Sequence, residues 1–271
     1  MEKRVIILTK STKYRNFCVA GIEWVTSEWI RLENRDVMAN ALTEEDITYE
    51  DGTVCQELDI VEVVCLEEDA NSYFQSENIY IDTGCRMRKV GQSSWQEVLE
   101  RHPAEVRYNI LGINRDRISQ EYATRRGRNA SLQLIKVSNL TIFQSEQNQG
   151  GEYRHPKARF LYTNSMQEEK EYTLTVTDPD YHPAMEERRL DEAYLIVSLG
   201  VLFEGNHYLL IAKIIESVDE PYYITTSSRT GIKYFHKNDE CRLLRAIGYG
   251  ERYSSGRIHR DNISPCNRCG N

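Results

Sequence analysis

The apolar positions of this chain recur in short runs, either unbroken or alternating with polar residues, and only rarely at helical spacing. Residues 4–8, Arg4 followed by four apolar residues, read as a buried strand, and the polar stretch 9–16 reads as a loop. The chain re-enters at 17–22 and, past a short turn, at 29–32. Three β-prone runs separated by polar residues predict an antiparallel meander. In its middle run, Ala20 and Gly21 leave room for a backbone or a ligand to come close. Residues 58–65 alternate in the manner of a strand, and 79–81 form another. Ser93 or Ser94, followed by Glu97, carries the signature of a capped helix over 95–99, which Pro103 stops. After a polar, arginine-rich stretch at 104–129, strand character returns at 132–137, 140–143, 158–162 and 172–176. The last of these ends in Thr177-Asp178-Pro179, a turn. Residues 183–193, opening on Pro183 and rich in Glu and Arg, predict a short helix. Residues 194–199 and 208–215 then read as a hairpin about 204–207.

The polar, glycine-ended segment 144–151 is the best linker in the chain. It divides the sequence into an N-terminal module, 1–145, and a C-terminal module, 152–271, whose basic tail carries a Cys-x-x-Cys pair. A short echo links the halves: the runs 5–11 and 18–23 parallel 195–198 and 210–216. The expected fold is mainly β, two similar β-modules with a few short helices.

Composition narrows the class. With 271 residues and 40% hydrophobic content, the chain has material for one large or two modest cores. No apolar run approaches the ~20 residues of a membrane helix, and the N-terminus is too short in apolar residues for a signal peptide. Seven cysteines, an odd number in a chain without an export signal, point to free thiols in a reducing cytoplasm, and with no membrane-length run no membrane partner is expected. A net charge of −8 argues against a generic DNA-coating protein. The charge is uneven, however. Residues 33–71 are acid-rich with Arg35 the single base, whereas Arg101, Arg107, Arg115, Arg117, Arg125, Arg126, Arg128 and Lys136 make a basic stretch. A local positive face is compatible with the overall sign.

Several residues carry candidate chemistry. Lys13 and Arg31 can contact phosphate and Ser11 can add a hydroxyl; the structural alternative pairs Arg31 with a nearby acid. Trp24, Trp29 or Tyr14 can stack on bases, although Trp29 reads as core and Trp24 stays open. Gln75, Glu77 and Asn78 suit a base or ribose edge, or else tie a turn to its neighbours. Asp178 can serve a ligand hydroxyl or a metal, or hold an Asx turn. Cys266-x-x-Cys269 has the spacing of half a zinc site, with Cys241, His236 and His259 as irregularly placed partners. No cofactor is expected apart from zinc at that pair. The sequence has no nucleophile elbow, Walker loop or His-Glu-x-x-His motif, and its six histidines are scattered.

Ser11-x-Lys13, Cys18-x-Ala20-Gly21 and Trp29-Ile30-Arg31 are followed by Gln75-x-Glu77-Asn78, Thr177-Asp178-Pro179 and Ser198-Leu199. In that order they resemble the dual OB-containing domain family of prokaryotes, over roughly residues 4–216. The resemblance implies two OB-like β-barrel modules that bind nucleic acid or a nucleotide without catalysis. It implies ligand contacts from Ser11, Lys13, Arg31, Gln75, Asn78, Asp178 and Ser198, to which the stacking reading adds Trp24. It also implies service as a sensor or adaptor in prokaryotic defence. Two rival expectations are a protein partner docking on the acidic region 33–71, and an enzyme acting on nucleotides in which Ser11, Lys13 and Asp178 converge.

Overall fold

A computed structural model describes residues 1–13, 16–69, 72–145, 155–181, 186–219, 222–237, 240–247 and 251–269. The chain begins with β1 (Glu2–Lys13), β2 (Asn16–Glu23), β3 (Trp29–Glu33), β4 (Asp59–Glu68), β5 (Asn78–Ile81) and β6 (Arg88–Gln92). The first five close into a barrel of order β1-β2-β3-β5-β4, with β4 returning to β1 and β3 running parallel to β5. β6 extends β4 on the outside.

The unbroken apolar run in β1 has a direct cause. Val5 and Ile7 point into the barrel, while Ile6 and Leu8 point out of it and are equally buried. The polar stretch after it, expected to be a loop, continues the strand instead. Thr9 through Lys13 pair with residues of β2, so Ser11 lies opposite Cys18 in a long hairpin. The close approach expected at Gly21 is made by backbone: any side chain there would collide with the carbonyl of Ile6.

After α1 (Trp95–Arg101), capped by Ser94 as expected, come β7 (Arg117–Ser119) and α2 (Gln120–Arg126). The helix α2 replaces part of the expected polar stretch. Ser119 caps its start, and Gly127, at φ 73°, ends it with a backbone that other residues rarely adopt. The second barrel is built from β8 (Leu132–Phe143), β9 (Lys157–Thr163), β10 (Glu169–Val176), β11 (Arg188–Leu199) and β12 (Asn206–Ile215). Its order, β8-β9-β10-β12-β11 with β11 returning to β8, repeats that of the first, including one parallel pair, β10 with β12.

Three expectations change here. The segment 144–151 does not lie between modules: it falls between the first two strands of the second barrel, since β8 pairs with both β9 and β11. Residues 146–151 themselves lie outside the described residues. The expected helix at 183–193 gives way to β11 from Arg188 onward, because ten residues of pairing along β8 outweigh the local helix preference of Glu and Arg. The sequence echo relates β1 and β2, the first two strands of one barrel, to β11 and β12, the last two of the other. It is therefore not an echo between equivalent strands.

The barrels are packed together. Ile6, Leu8, Ala20 and Ile22 meet Leu132, Leu134, Ile196 and Ile215, with Trp95 and Val98 of α1 completing this middle core. Residues beyond the second barrel do not join it. They form β13 (Tyr222–Thr226), β14 (Lys233–His236), α3 (Arg242–Ile247), β15 (Arg252–Tyr253), α4 (Ser255–Arg260) and β16 (Ser264–Pro265). These strands make a separate small sheet of order β15-β13-β14-β16. It docks through Arg252 on Asp59 and Ser254 on Asp180, and Arg260 donates to the carbonyl of Pro179 at 2.7 Å. Among the described residues no helix is long and apolar enough to cross a membrane.

Candidate nucleic-acid interface

In each barrel the connection between the fourth and fifth strands faces the other barrel. In the first, Phe74 leaves its own barrel and joins the core of the second, its ring 4.2 Å from that of His207. His207 Nδ1 lies 2.8 Å from the carbonyl of Gly200, which can only accept, so Nδ1 carries the proton. Nε2 then accepts from the hydroxyl of Tyr73 at 2.6 Å. Burial lowers the imidazole pKa and favours this neutral form. One histidine thus holds the two connections together.

Arg31 fastens the same junction from β3. It is 3% exposed. Its Nη2 donates to Glu77 Oε1 at 3.2 Å within the first barrel, and to Ser131 Oγ at 2.9 Å and Ser198 Oγ at 3.3 Å in the second. Nη1 reaches Cys18 Sγ at 2.9 Å. Gln75 donates through Nε2 to the carbonyl of Leu199 at 3.2 Å and accepts at Oε1 from Asn78 at 2.8 Å. Arg31 Nε, also buried, has no partner among the described residues.

Above this network lies a pocket of about 80 Å³. Ser11 and Cys18 line it from the first barrel's hairpin and Arg31 and Gln75 from below, while Ser198 and Thr177 come from the second barrel. The volume is well under the ~300 Å³ at which sites begin to engulf a drug-sized ligand. It accommodates the edge of one group, such as a ribose hydroxyl or a phosphate oxygen, among hydroxyl and amide donors.

Four of the expected ligand residues, Ser11, Arg31, Gln75 and Ser198, therefore share one pocket. The others do not. Asn78 lies beneath it, bonded to Glu33 and Gln75. Asp178 follows the pocket residue Thr177, but its carboxylate is turned to the Ile214 amide and Lys213. Trp24 carries the Arg101 guanidinium 3.9 Å above its ring and packs at the edge of the middle core, as does Trp29. The Lys13 side chain and Tyr14 lie outside the described residues. Cys266 and Cys269 sit in the small third sheet with Cys241 and His236.

The rim carries groups that sequence reasoning passed over. Val201 lines the pocket, and two residues on, Phe203 is 60% exposed. Its ring lies 6.4 Å from that of Tyr208, over which the Arg117 guanidinium sits at 5.6 Å. Pairing of β7 with β12 sets Arg117 opposite Tyr208 and so attaches the basic stretch to this rim. Tyr122 and Arg125, both exposed, follow on α2. The available signal was an aromatic beside the Glu204-Gly205 turn, where nothing in the pattern calls for core.

The acid-rich region is much less free than its composition implies. Asp46 is bonded to Thr43 and Asn34, Asp59 to Tyr49, Lys89 and Arg252, and Glu62 to Arg4 and Arg88. Glu57 reaches across to Lys213 at 2.9 Å. Lys213, 1% exposed, also pairs with Asp180 at 2.7 Å and Asp178 at 3.4 Å. Burial opposes its charge, but the carboxylates outweigh that and hold its pKa well above the usual value. One lysine cannot compensate three carboxylates. Burial accordingly pushes Asp178 up to about 7, against the pull of Lys213.

Because the folded pKa of Asp178 lies above its unfolded one, the folded state binds the extra proton. That contribution is full below about pH 4 and is lost as pH rises through about 7. Asp178→Asn is expected to flatten the decline in melting temperature between pH 5 and 8. Parallel profiles for the variant and the native chain would contradict this.

Two closed five-stranded barrels of identical strand order, joined through their fourth-to-fifth-strand connections, define a tandem OB-fold protein. Residues 3–214 match the profile of the dual OB-containing domain, and the chain belongs to that family. The match ends at the last strand of the second barrel and leaves the small third sheet outside it. No curated protein matches the chain.

Proposed function

We propose that the chain is a non-catalytic binder of single-stranded nucleic acid, held along the rim of the second barrel and into the pocket between the barrels. OB folds bind oligonucleotides or oligosaccharides on one sheet face and on the connections between strands 1–2 and 4–5. The observation that carries the reading is the group of exposed Phe203 and Arg117 with half-buried Tyr208, beside a pocket into which Arg31, Gln75, Ser11 and Ser198 converge. Phe203 and Tyr208 stack on bases, and Arg117, Arg115 and Arg125 contact phosphates. Ser11 and Ser198 take one polar edge in the pocket, with Arg31 positioning Ser198. The strand is bound locally, against an overall charge of −8. Serving a partner protein as sensor or adaptor, in a prokaryotic defence context, extends this reading on the family resemblance.

Fluorescence anisotropy with single-stranded DNA, single-stranded RNA and duplex DNA across a salt series tests it. Single strands are expected to bind most tightly, with affinity falling as salt rises. Phe203→Ala should weaken binding about 5- to 150-fold, the ~1–3 kcal/mol of one stacked base. Arg117→Ala should reduce the salt slope by about 0.7. No binding at low salt, or binding indifferent to Phe203, would contradict the proposal.

A further inference from the structure

Among the described residues the third sheet has little to hold it together by apolar burial. One cluster consists of Ile224, Tyr253, Ile258 and Ile263, the other of Cys241, Leu244 and Cys266. Units with cores this small usually carry a disulfide or a structural metal. Two of the three buried residues of the second cluster are cysteines, and all the cysteines are free thiols.

His236 at the end of β14, Cys241 ahead of α3, and Cys266 and Cys269 after β16 point their donor atoms at one another, all within 4.8 Å. We propose that these four residues bind one zinc ion, which locks the third sheet and its tail. A tetrahedral zinc with bonds of about 2.3 Å to sulfur and 2.05 Å to nitrogen sets ligand atoms about 3.8 Å apart for two sulfurs and about 3.6 Å for a sulfur and a nitrogen. Here Cys241 Sγ and Cys266 Sγ are 4.0 Å apart, and Cys269 Sγ and His236 Nδ1 are 3.5 Å apart. The sulfurs are too far apart for a disulfide, whose bond is about 2.05 Å.

The surroundings fit a metal as well. His236 Nε2 lies 2.9 Å from Thr225 Oγ1, which can accept its proton and leave Nδ1 bare for the ion. Such a partner orients the ring and raises its basicity. The Arg268 amide points at Cys266 Sγ at 3.5 Å and the Cys266 amide donates to the Phe235 carbonyl at 2.9 Å, so the Cys-x-x-Cys turn is tied to β14. Three cysteines and one histidine, buried except for the half-buried Cys269, are a structural zinc donor set.

The test is elemental analysis of the purified full chain, followed by cobalt(II) titration of the reduced, metal-free protein. About one zinc per chain is expected, with a tetrahedral cobalt spectrum and sulfur-to-metal charge transfer. Cys269→Ser should lower zinc content, while Cys85→Ser, at an exposed thiol outside the cluster, should leave it unchanged. Thr225→Val, which keeps all four ligands, should weaken affinity about 10- to 100-fold. Zinc below about a tenth of an equivalent together with no tetrahedral cobalt spectrum would overturn the proposal, and so would iron in zinc's place. The cobalt titration uses the native sequence, so its outcome does not depend on any variant folding.

Discussion

Arg31→Met is expected to destabilise the protein by about 3–5 kcal/mol in urea unfolding, the usual cost of leaving a buried charge without its partner. Glu77 would keep the amide and hydroxyl of Ser131 but lose the cation beside it, and its side chain is 3% exposed. Ser198 would lose the same donor, so one substitution loosens both sides of the junction. The double variant Arg31→Met, Glu77→Gln should recover most of the loss, because a neutral amide at 77 can still accept from Ser131. A cost under about 1 kcal/mol, or no recovery in the double variant, would show that the network is not what fixes the barrels together.

Lys213→Met should cost at least as much, and its cost should depend on pH. The substitution leaves Glu57, Asp178 and Asp180 facing one another around an apolar side chain, supported by the Ser254 hydroxyl on Asp180 and by the Ile214 and Asp180 amides on Asp178. Without the ammonium the carboxyls gain protons at higher pH than before, since each one's neighbours are then like charges. Their protonation relieves the repulsion, so the loss of about 3–5 kcal/mol near pH 8 should shrink as pH falls towards 5. Melting temperatures of both proteins at pH 5, 6.5 and 8 check this. An equal loss at all three would mean that the carboxylates are not coupled to the lysine.

Much of the first barrel was readable from local pattern. The apolar runs became β1, β2 and β3, and the Ser94 cap began α1 where expected. What local pattern could not supply was pairing between distant strands. The polar stretch after Leu8 is strand because β2 lies beside it, and residues from 188 onward are strand because β8 does. The same limit misplaced the boundary at 144–151, a polar loop within the second barrel that reads like a linker between two domains.

The candidate site was legible in part for a related reason. Ser11, Arg31, Gln75 and Ser198 came from motifs in chain order, and the structure gathers them into one pocket. Their setting was not legible: Glu77, Ser131 and His207 hold that junction through contacts that span 46 to 134 positions of sequence. Likewise, Cys266-x-x-Cys269 gave half of a donor set, and only the fold brings His236 and Cys241 to it.

The proposed path of the nucleic acid runs across the second barrel's rim at the junction of the barrels. Photo-crosslinking to a single strand carrying 5-iodouridine, with the attached peptides mapped by mass spectrometry, tests that path most directly. Crosslinks are expected at Phe203 and Tyr208, with Tyr122 next, all suppressed by unlabelled single strand. Crosslinks confined to the first barrel's acid-rich segment or to the third sheet, with none near Phe203, would contradict it.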